Sequence, residues 1–313
     1  MDGRAIEWLT ELALQAAASE AAITPAGVTL LLRRYLATGR ADVRDALGPA
    51  LGYAIDACPP SEAHAALAEW LFVFVEACTF SEDERVTAAA ESLIATLRSG
   101  WPSRGDLRSS MQSVDACLSA AGRLPESDAV VPAAIDELEH IVSVVYEPGE
   151  GLLRAIDRKS RAPGDLRDHV AAVSALLTAY TITGRLPYSM LAEELMQFSR
   201  RTWWDTADGG FKTSEAASND DDRQAMADGR PLNLGLFIAN CEAARVFCRL
   251  AALHQDSEYR TVAVIAHESN YAEDAKRTLE ALAPSYREYG IDAVVYGLAL
   301  GEWLAVEHAC DKS

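Results

Sequence analysis

The sequence predicts an all-α protein in which about twelve helices pair into six hairpins and close into a ring, an (α/α)6 toroid. Apolar residues recur at helical spacing through almost all of the 313 residues. Several helices end with similar residues, such as Tyr35 to Gly39 and Tyr180 to Gly184, which indicates a degenerate repeat of helix pairs. The first and last helices are too apolar to be the polar end faces of an open solenoid, so a closed ring is favoured over that alternative.

Breaks in the apolar pattern place the helices in order. Proline, glycine and clusters of Asp and Ser interrupt the pattern, and each interruption ends one helix and precedes the next. The run near the C-terminus allows an interruption near Ser269. The predicted helices cover residues 4–19, 25–38, 41–57, 61–79, 82–99, 106–121, 130–145, 166–183, 188–203, 234–254, 258–282 and 291–308.

The segment from Glu147 to Phe211 carries the clearest local signals. Gly149 and Gly151 precede a short apolar run, which indicates a strand or hairpin. Asp165 is placed to cap the N-terminus of the helix over 166–183, and Gly184 is placed to end it in a left-handed conformation. A second helix follows, and an aromatic loop with two glycines closes this helical hairpin.

Two segments depart from the helical rhythm. Ser214 to Arg230 is long, polar and rich in Asp, so we expect a flexible surface loop or lid. Thr261 to Ser269 lengthens a connection between helices beyond the ordinary range, and nothing in its composition explains why.

Composition limits the class of protein. Half of the residues are apolar, enough for a sizeable core, and no linker divides the chain, so we expect one domain over residues 1–313. The formal net charge of −19 and the lack of a basic stripe disfavour nucleic acid as a partner. Six scattered cysteines without a CxxC pair indicate buried free thiols. Charges in the first twenty residues exclude a signal peptide, and no run approaches a membrane span, so a soluble, cytoplasmic protein is expected.

Four motifs occur in order in the middle of the chain: Leu152 to Arg154, Pro163 to His169, Tyr180 to Gly184 and Trp204 to Phe211. Further matches follow at Asn240, Arg249 to Leu253 and Ala281 to Pro284. Together they resemble the later repeats of thioredoxin-domain proteins of the spermatogenesis-associated protein 20 type. That resemblance implies an (α/α)6 toroid related to the sugar 2-epimerases, without the thioredoxin domain.

Other motifs of that family are missing here. The chain lacks the family's Pro-Lys-Phe-Pro, Pro-His-Phe-Glu-Lys-Met-Leu and Asp-Ala-Asp-Ser segments, and residues 59–65 stand where the second would fall. The pair of pocket histidines that transfers protons in the epimerases cannot be assigned. The resemblance therefore implies a pocket whose chemistry differs from that of the family.

Asp168 and His169 are the candidate catalytic residues. They lie in the first turn of a helix, where an inner helix of such a toroid would turn toward the central pocket, and a carboxylate beside an imidazole can transfer protons. The structural alternative is that Asp168 caps its helix and His169 fills space. Arg154 is a candidate for binding an anionic group, with an ion pair to Glu150 or Asp168 as its alternative.

Aromatic and amide side chains supply the remaining candidate ligand contacts. Aromatic rings at the rim of a pocket could stack on a sugar ring, or they could pack a loop onto helix ends. An asparagine near a helix start could bind a ligand, although capping alone explains it. The residues are Tyr180, Trp203, Trp204, Phe211 and Asn240. No metal and no cofactor are predicted, because the Glu137/His140 pair and Asp220 to Asp222 are weak metal signals.

Two functions remain open from the sequence. One is a small-molecule toroid that binds a polar, carbohydrate-like ligand in a central pocket and acts as an isomerase or hydrolase. The other is a non-catalytic scaffold for a protein partner or a homodimer, which predicts a filled or apolar centre. No membrane partner is expected in either case.

Overall fold

A computed structural model describes residues 3–19, 23–57, 64–101, 106–124, 129–157, 161–212, 233–262 and 269–310. These residues form thirteen α-helices, a 3-10 helix over Tyr286–Ala293 and a hairpin of strands β1 (Tyr146–Glu147) and β2 (Gly151–Leu152). The α-helices are α1 (Arg4–Ala18), α2 (Pro25–Thr38), α3 (Ala41–Ala57), α4 (His64–Ala77), α5 (Glu84–Ser99), α6 (Leu107–Ser119), α7 (Val131–Val145), α8 (Leu166–Thr183), α9 (Leu186–Trp203), α10 (Leu234–Gln255), α11 (Ser257–Val262), α12 (Tyr271–Leu282) and α13 (Val294–Cys310).

Every predicted helix is present, and two boundaries near the C-terminus differ. The helical run predicted over 258–282, with an interruption allowed near Ser269, consists of two helices, α11 and α12, and Asn270 caps the second by accepting from the Glu273 N–H at 3.1 Å. The last helix begins at Val294 rather than at Ile291, because the 3-10 helix precedes it and Gly290 interrupts that segment with a φ of 55°.

The helices form two concentric layers. The inner helices α2, α4, α6, α8, α10 and α13 each pack against the next, and α13 packs against α2. The outer helices α1, α3, α5, α7, α9 and α12 cover them from outside. Because each inner helix is followed by a returning outer helix, all six inner helices run in the same direction. The predicted (α/α)6 toroid is confirmed.

The ring closes where the first helices meet the last. Leu9 of α1 is fully buried, and it lies so close to Gly297 of α13 that a Cβ at that glycine would be 2.9 Å from Leu9 Cδ1. Leu30 of α2 contacts the same position. The apolar faces of the two chain ends therefore bury one another, which is why an open solenoid does not form.

Helix α8 begins and ends as its sequence predicts. Asp165 accepts from the backbone N–H of Arg167 and Asp168, and the Asp168 side chain accepts from the Asp165 N–H, which completes a capping box. Gly184 ends the helix at a φ of 66°, and its N–H donates to the Tyr180 carbonyl at 2.8 Å.

The last inner helix, α13, corrects the expectation that no run of the sequence approaches a membrane span. Among the described residues, the segment Tyr286–Ala309 contains an 18-residue window with a mean hydropathy of 1.2, and it is long and apolar enough to cross a membrane by length and composition. Its packing against α1, α2, α10 and α12 accounts for that composition. The predicted loop from Ser214 to Arg230 and most of the segment from Thr261 to Ser269 lie outside the described residues.

Candidate active site

Asp168 and His169 lie beside the hairpin at the start of α8. Asp168 is 4% exposed, and its Oδ2 accepts from the Asp165 N–H at 2.9 Å. Burial, together with the charge of Asp165, raises the pKa of Asp168 to about 6. Its contacts are those of a helix cap, which is the structural alternative that the sequence left open.

The imidazole of His169 is held at both nitrogens by backbone groups. Nδ1 lies 2.8 Å from the Asp165 carbonyl oxygen, and Nε2 lies 3.1 Å from the Leu152 N–H. Because Nε2 must accept from that N–H, the neutral tautomer carries its proton on Nδ1. The ring stacks on Phe198 at 5.2 Å, and burial lowers the pKa of His169 to about 4. This histidine fastens β2 to α8.

Arg154 forms the structural ion pair that the sequence allowed. Its NH2 lies 2.8 Å from Asp165 Oδ2 and its Nε lies 3.6 Å from Asp168 Oδ2, while about half of the side chain is exposed. Tyr180 lies near the opposite end of α8, about 18 Å along the helix from Asp168. There it contacts the ring of Tyr259 at 5.7 Å. The structure therefore does not bring Tyr180 to the capping residues.

The aromatic candidates form two packed groups. Trp203 meets His169 edge to face at 5.1 Å, and Trp204 meets Phe211 edge to face at 5.1 Å. Asn240, 3% exposed, fixes the second group, because its Oδ1 accepts from the Phe211 N–H at 2.7 Å and its Nδ2 donates to the Phe211 carbonyl at 3.1 Å. The capping role weighed for Asn240 is wrong, since α10 begins six residues earlier, at Leu234.

Asp168 and His169 lie away from the face of α8 that contacts the next inner helix. With about 100° between successive residues of a helix, Arg167, Ser174 and Thr178 share one face of α8, and Asp168 and His169 turn away from it. Ser174 and Thr178 contact Arg249 of the next inner helix, so their face is the central one. A catalytic role for Asp168 and His169 stays a prediction.

The centre of the ring is lined by charged side chains instead. Arg33 of α2 donates through Nε to Glu76 of α4 at 3.1 Å, and it also pairs with Glu302 of α13. Arg245 of α10 donates through Nε to the same Glu302 oxygen at 3.0 Å. Burial alone would raise the pKa of Glu302, but Arg245 and Arg33 outweigh it, so this pKa is lowered.

A second group of contacts continues round the ring. Arg249, one turn beyond Arg245, donates to the Ser174 hydroxyl and to Thr178 Oγ1, each at 3.0 Å. Ser174 donates in turn to Asp115 Oδ2 of α6 at 2.6 Å. The two groups together involve all six inner helices, and we call them the central network. Its members are Arg33, Glu76, Asp115, Ser174, Thr178, Arg245, Arg249 and Glu302.

Nearer the starts of the inner helices lies a second polar layer, which we call the recess. The recess residues occupy the second to the ninth positions of their helices, from Arg108 and Arg167 to Glu242. The central network occupies the ninth to the sixteenth positions, so the two layers meet at the depth of Glu242. The recess therefore lies toward one end of the ring, with the central network extending deeper along the inner helices. Its residues are Glu69, Arg108, Gln112, Arg167 and Glu242.

Glu69 of α4 and Glu242 of α10 approach the recess from opposite inner helices. Burial, with a further contribution from the charge of Glu242, raises the pKa of Glu69 to about 7, while Arg108 opposes the shift. Burial also raises the pKa of Glu242, against Arg245, Arg108 and Arg167. Glu69 nevertheless keeps an exposed side chain. The raised pKa and the exposed side chain together indicate that the Glu69 carboxyl group is surrounded by protein and still reaches solvent.

Helix α6 presents an amide oxygen and a carboxylate oxygen that lack a hydrogen-bond partner among the described residues, beside the unpartnered hydroxyl of Ser110. Gln112 Oε1 and Asp115 Oδ1 are buried and have no hydrogen-bond partner in the part of the chain that the structure describes. Arg108, one turn before Gln112, forms no ion pair with any described residue. Buried acceptors of this kind are costly unless something donates to them, so they suit a ligand rich in hydroxyl donors.

No metal site is evident in this part of the molecule. The described residues contain no group of three or more His, Cys, Asp or Glu side chains that could hold a metal ion. Glu137 and His140 lie on the outer helix α7, and Asp220 to Asp222 lie outside the described ranges.

The recess and the central network carry a sequence signal that motif reasoning missed. Glu242, Arg245 and Arg249 follow at three- and four-residue spacing within the otherwise apolar helix α10. Five inner helices also place a polar residue at their ninth position. These residues are Arg33, Asp115, Ser174, Glu242 and Glu302. A polar residue at one depth in successive inner helices marks the centre of the ring.

Comparisons with known proteins agree on the fold. No protein-family model and no curated protein sequence matches the chain. Among solved structures, an unsaturated glucuronyl hydrolase specific for heparin matches with a TM-score of 0.69 and 12% identity, over 98% of this chain and 99% of that chain. The Lin0763 protein from Listeria innocua matches with a TM-score of 0.64 and 13% identity, over 90% and 83% of the two chains.

A D-mannose isomerase matches with a TM-score of 0.54 and 12% identity, over 83% of this chain and 86% of that chain. At these identities the matches establish the (α/α)6 toroid fold and nothing finer. They do not test the resemblance to thioredoxin-domain proteins, which stays a prediction.

Proposed function

We propose that this protein binds a small, polar, carbohydrate-like molecule in the recess and transforms it by proton transfer between Glu69, Glu242 and the ligand, as an isomerase or a hydrolase. The observation that carries the proposal is the pair of carboxyl groups presented from opposite sides of the ring. A carboxyl group with a pKa of about 7, as at Glu69, serves as both acid and base near neutral pH.

The polar groups around the two carboxyls support a hydroxyl-bearing ligand. Gln112 and Asp115 each present an unpaired buried acceptor, and a sugar offers several hydroxyl donors at short spacing. Arg108 adds a guanidinium close enough to influence both carboxyl groups. It would bind a carbonyl, hydroxyl or anionic substituent of the ligand.

The named structural relatives support the same broad class. One is a glucuronyl hydrolase and another a mannose isomerase. Because the shared fold does not fix the reaction, the recess has to supply the chemistry.

The scaffold alternative predicts a filled or apolar centre. Here the central network has polar residues on all six inner helices and charged ones on five of them, and burying charges stabilises a protein less than a well-packed apolar core would. A requirement of ligand binding or catalysis accounts for the presence of these charged residues at the centre. The scaffold reading remains the second proposal, and it expects no sugar binding.

The test uses Glu69→Gln and Glu242→Gln beside Glu91→Gln, an exposed glutamate on the outer helix α5. D-glucose, D-mannose and D-glucuronate are added to each protein, and binding is measured as a rise in the thermal unfolding temperature. NMR of the same sugars detects isomerisation. Hydrolysis is measured with an unsaturated glucuronide of a simple alcohol. We expect a sugar that stabilises the wild type, turnover lost in both recess variants, and no change in Glu91→Gln. Full turnover in both recess variants, or no stabilisation by any of these compounds, would overturn the proposal.

A further inference from the structure

A cavity lies at the seam where the first helix meets the last. It has a volume of about 500 Å3, within the usual range for small-molecule sites. Arg4 of α1, Tyr286 and Arg287 of the 3-10 helix, and Tyr296 and Leu300 of α13 line it with two alanines, Ala5 and Ala283. The recess residues Glu69 and Glu242 do not contribute to it.

The charges at this cavity are of one sign. The lining contains two arginines and no acidic residue, in a chain whose formal net charge is −19. The acidic side chain nearest to Arg4 along α1 is Glu7, and its Oε2 accepts from Arg40 NH1 at 2.9 Å. Glu7 also pairs with Arg34. This carboxylate is therefore held by α2 and the loop that follows it, and both charged residues that line the cavity are arginines.

Aromatic rings hold the second guanidinium in place. Arg287 lies over the ring of Trp8 at 5.3 Å and over that of Tyr286 at 5.8 Å, and its Nε donates to the Tyr286 hydroxyl at 3.2 Å. Tyr286 in turn stacks on the buried Tyr296 at 4.9 Å with an interplanar angle of 11°. A planar cation fixed beside flat rings is arranged before any ligand arrives, which lowers the entropic cost of binding.

We propose that this cavity is a second binding site, which takes a small organic anion: a carboxylate or phosphate attached to a flat apolar body. Arg287 and Arg4 bind the anionic group, and Tyr286, Tyr296 and Leu300 contact the apolar body. Guanidinium groups suit carboxylate and phosphate because their donors match the geometry of the oxygen atoms. The alanines leave the space that the ligand occupies.

Phenyl phosphate is a suitable probe, with phenol and inorganic phosphate as its two halves, and binding is measured by isothermal titration calorimetry. The variants are Arg287→Gln, Arg287→Lys and Arg4→Gln. Arg85→Gln is the control, because Arg85 is exposed and pairs locally with Asp83 on α5. Circular dichroism shows whether each variant is folded, and the exposed position of Arg287 makes loss of folding unexpected.

We expect phenyl phosphate to bind the wild type, and each glutamine variant at the cavity to weaken binding on the order of tenfold or more. Arg287→Lys should retain part of the affinity, since it keeps the charge and loses the planar stacking. Phenol should bind more weakly than phenyl phosphate. The proposal is overturned if phenyl phosphate does not bind at about 10 mM, or if Arg287→Gln and Arg4→Gln both bind it as well as Arg85→Gln does.

The recess also contains arginines, so one variant separates the two sites. Arg108→Gln should leave the affinity for phenyl phosphate unchanged. Loss of binding in Arg108→Gln together with full binding in Arg287→Gln would place the anion in the recess and overturn the second site. The outcome with sugars in Glu69→Gln is independent of this measurement.

Discussion

Arg245 of α10 donates through Nε to Oε1 of Glu302 on α13 at 3.0 Å, and Arg33 of α2 pairs with the same oxygen from the other side. One carboxylate therefore connects three inner helices, including the two that close the ring. This arrangement explains how the toroid tolerates these charges at its centre, since Arg33, Arg245 and Glu302 are paired across helix interfaces.

Removing the Glu302 carboxylate should lower stability more than removing a surface carboxylate. We expect Glu302→Gln to lower the free energy of unfolding by about 1.5–3 kcal/mol, because two guanidinium groups lose a charged partner. The control Glu7→Gln should cost less than about 1 kcal/mol, since that side chain is half exposed. Urea unfolding at pH 7 measures both, and equal losses would contradict the central role of Glu302. The pKa of Glu302 is lowered from 4.5, so its stabilisation is complete above that pH and is lost as the pH falls through its lower folded-state pKa.

Glu69 should make stability fall as the pH rises. Its pKa increases from 4.5 in the unfolded chain to about 7 in the folded protein, so between these values the folded state binds more protons. Stability from this group is therefore fully present below pH 4.5 and is lost by the time the pH passes 7. We expect Glu69→Gln to raise the urea midpoint at pH 8 and to change it little at pH 4. A lower midpoint at pH 8 would show that the folded protein favours the charged carboxylate.

His169, in contrast to Glu69, should make the stability of the folded protein rise as the pH rises. Its pKa is about 4 in the folded protein and 6.5 in the unfolded chain, so the unfolded state binds the proton first as the pH falls. This group should cost about 3 kcal/mol of stability between pH 6.5 and pH 4. His169→Phe should remove that dependence and lose about 1–3 kcal/mol at pH 7, because the Leu152 N–H loses its acceptor. His140→Phe, at an exposed position of α7, is the control, and the same pH dependence in both variants would refute this account.

Asp168→Ala distinguishes the two roles that the sequence left open for this residue. Loss of the capping box should cost about 1 kcal/mol, measured by urea unfolding. If Asp168 only caps α8, the variant should bind sugars as tightly as the wild type does at a temperature where both are folded. Loss of ligand binding in the folded variant would instead support the predicted catalytic role.

Gly151→Ala should be among the most disruptive substitutions in the hairpin. Gly151 has a φ of 83°, and a Cβ there would lie 2.5 Å from His169 Nε2 and 2.6 Å from Phe198 Cε1. Backbone strain and the displaced rings should together cost at least about 2 kcal/mol. Gly122→Ala shares the positive φ of 69° but meets nothing within 4 Å, so it should cost only about 1–2 kcal/mol. Thermal unfolding of the two variants compares these costs, and equal losses would show that the space beside His169 is not tightly packed.

Local sequence signals predicted the ends of a helix correctly where those ends depend only on residues a few positions away. Asp165 and Gly184 mark the ends of α8 because a cap needs only a side chain or a left-handed residue a few positions away. The 3-10 helix over Tyr286–Ala293 was not predicted, because a glycine between apolar runs does not reveal whether an α-helix restarts directly after it or a few residues later.

The candidate site shows a different limit. Asp168 and His169 were predicted as catalytic residues because they are adjacent and chemically suited to proton transfer. In the structure they form hydrogen bonds with backbone groups at the start of α8 and in the hairpin. Glu69 and Glu242 are separated by 173 positions in the chain. Neither lies in a recognisable motif, and only the closure of the ring presents them to the same space.

The sequence by itself determined the helices, their caps and the closed ring, since apolar periodicity and turn residues act over a few positions and the apolar end helices have to cover one another. The tertiary structure decided which polar residues face the centre. That choice depends on how each helix is rotated about its axis, and the packing of its apolar faces against two neighbours and an outer helix sets this rotation, through contacts between residues far apart in the chain.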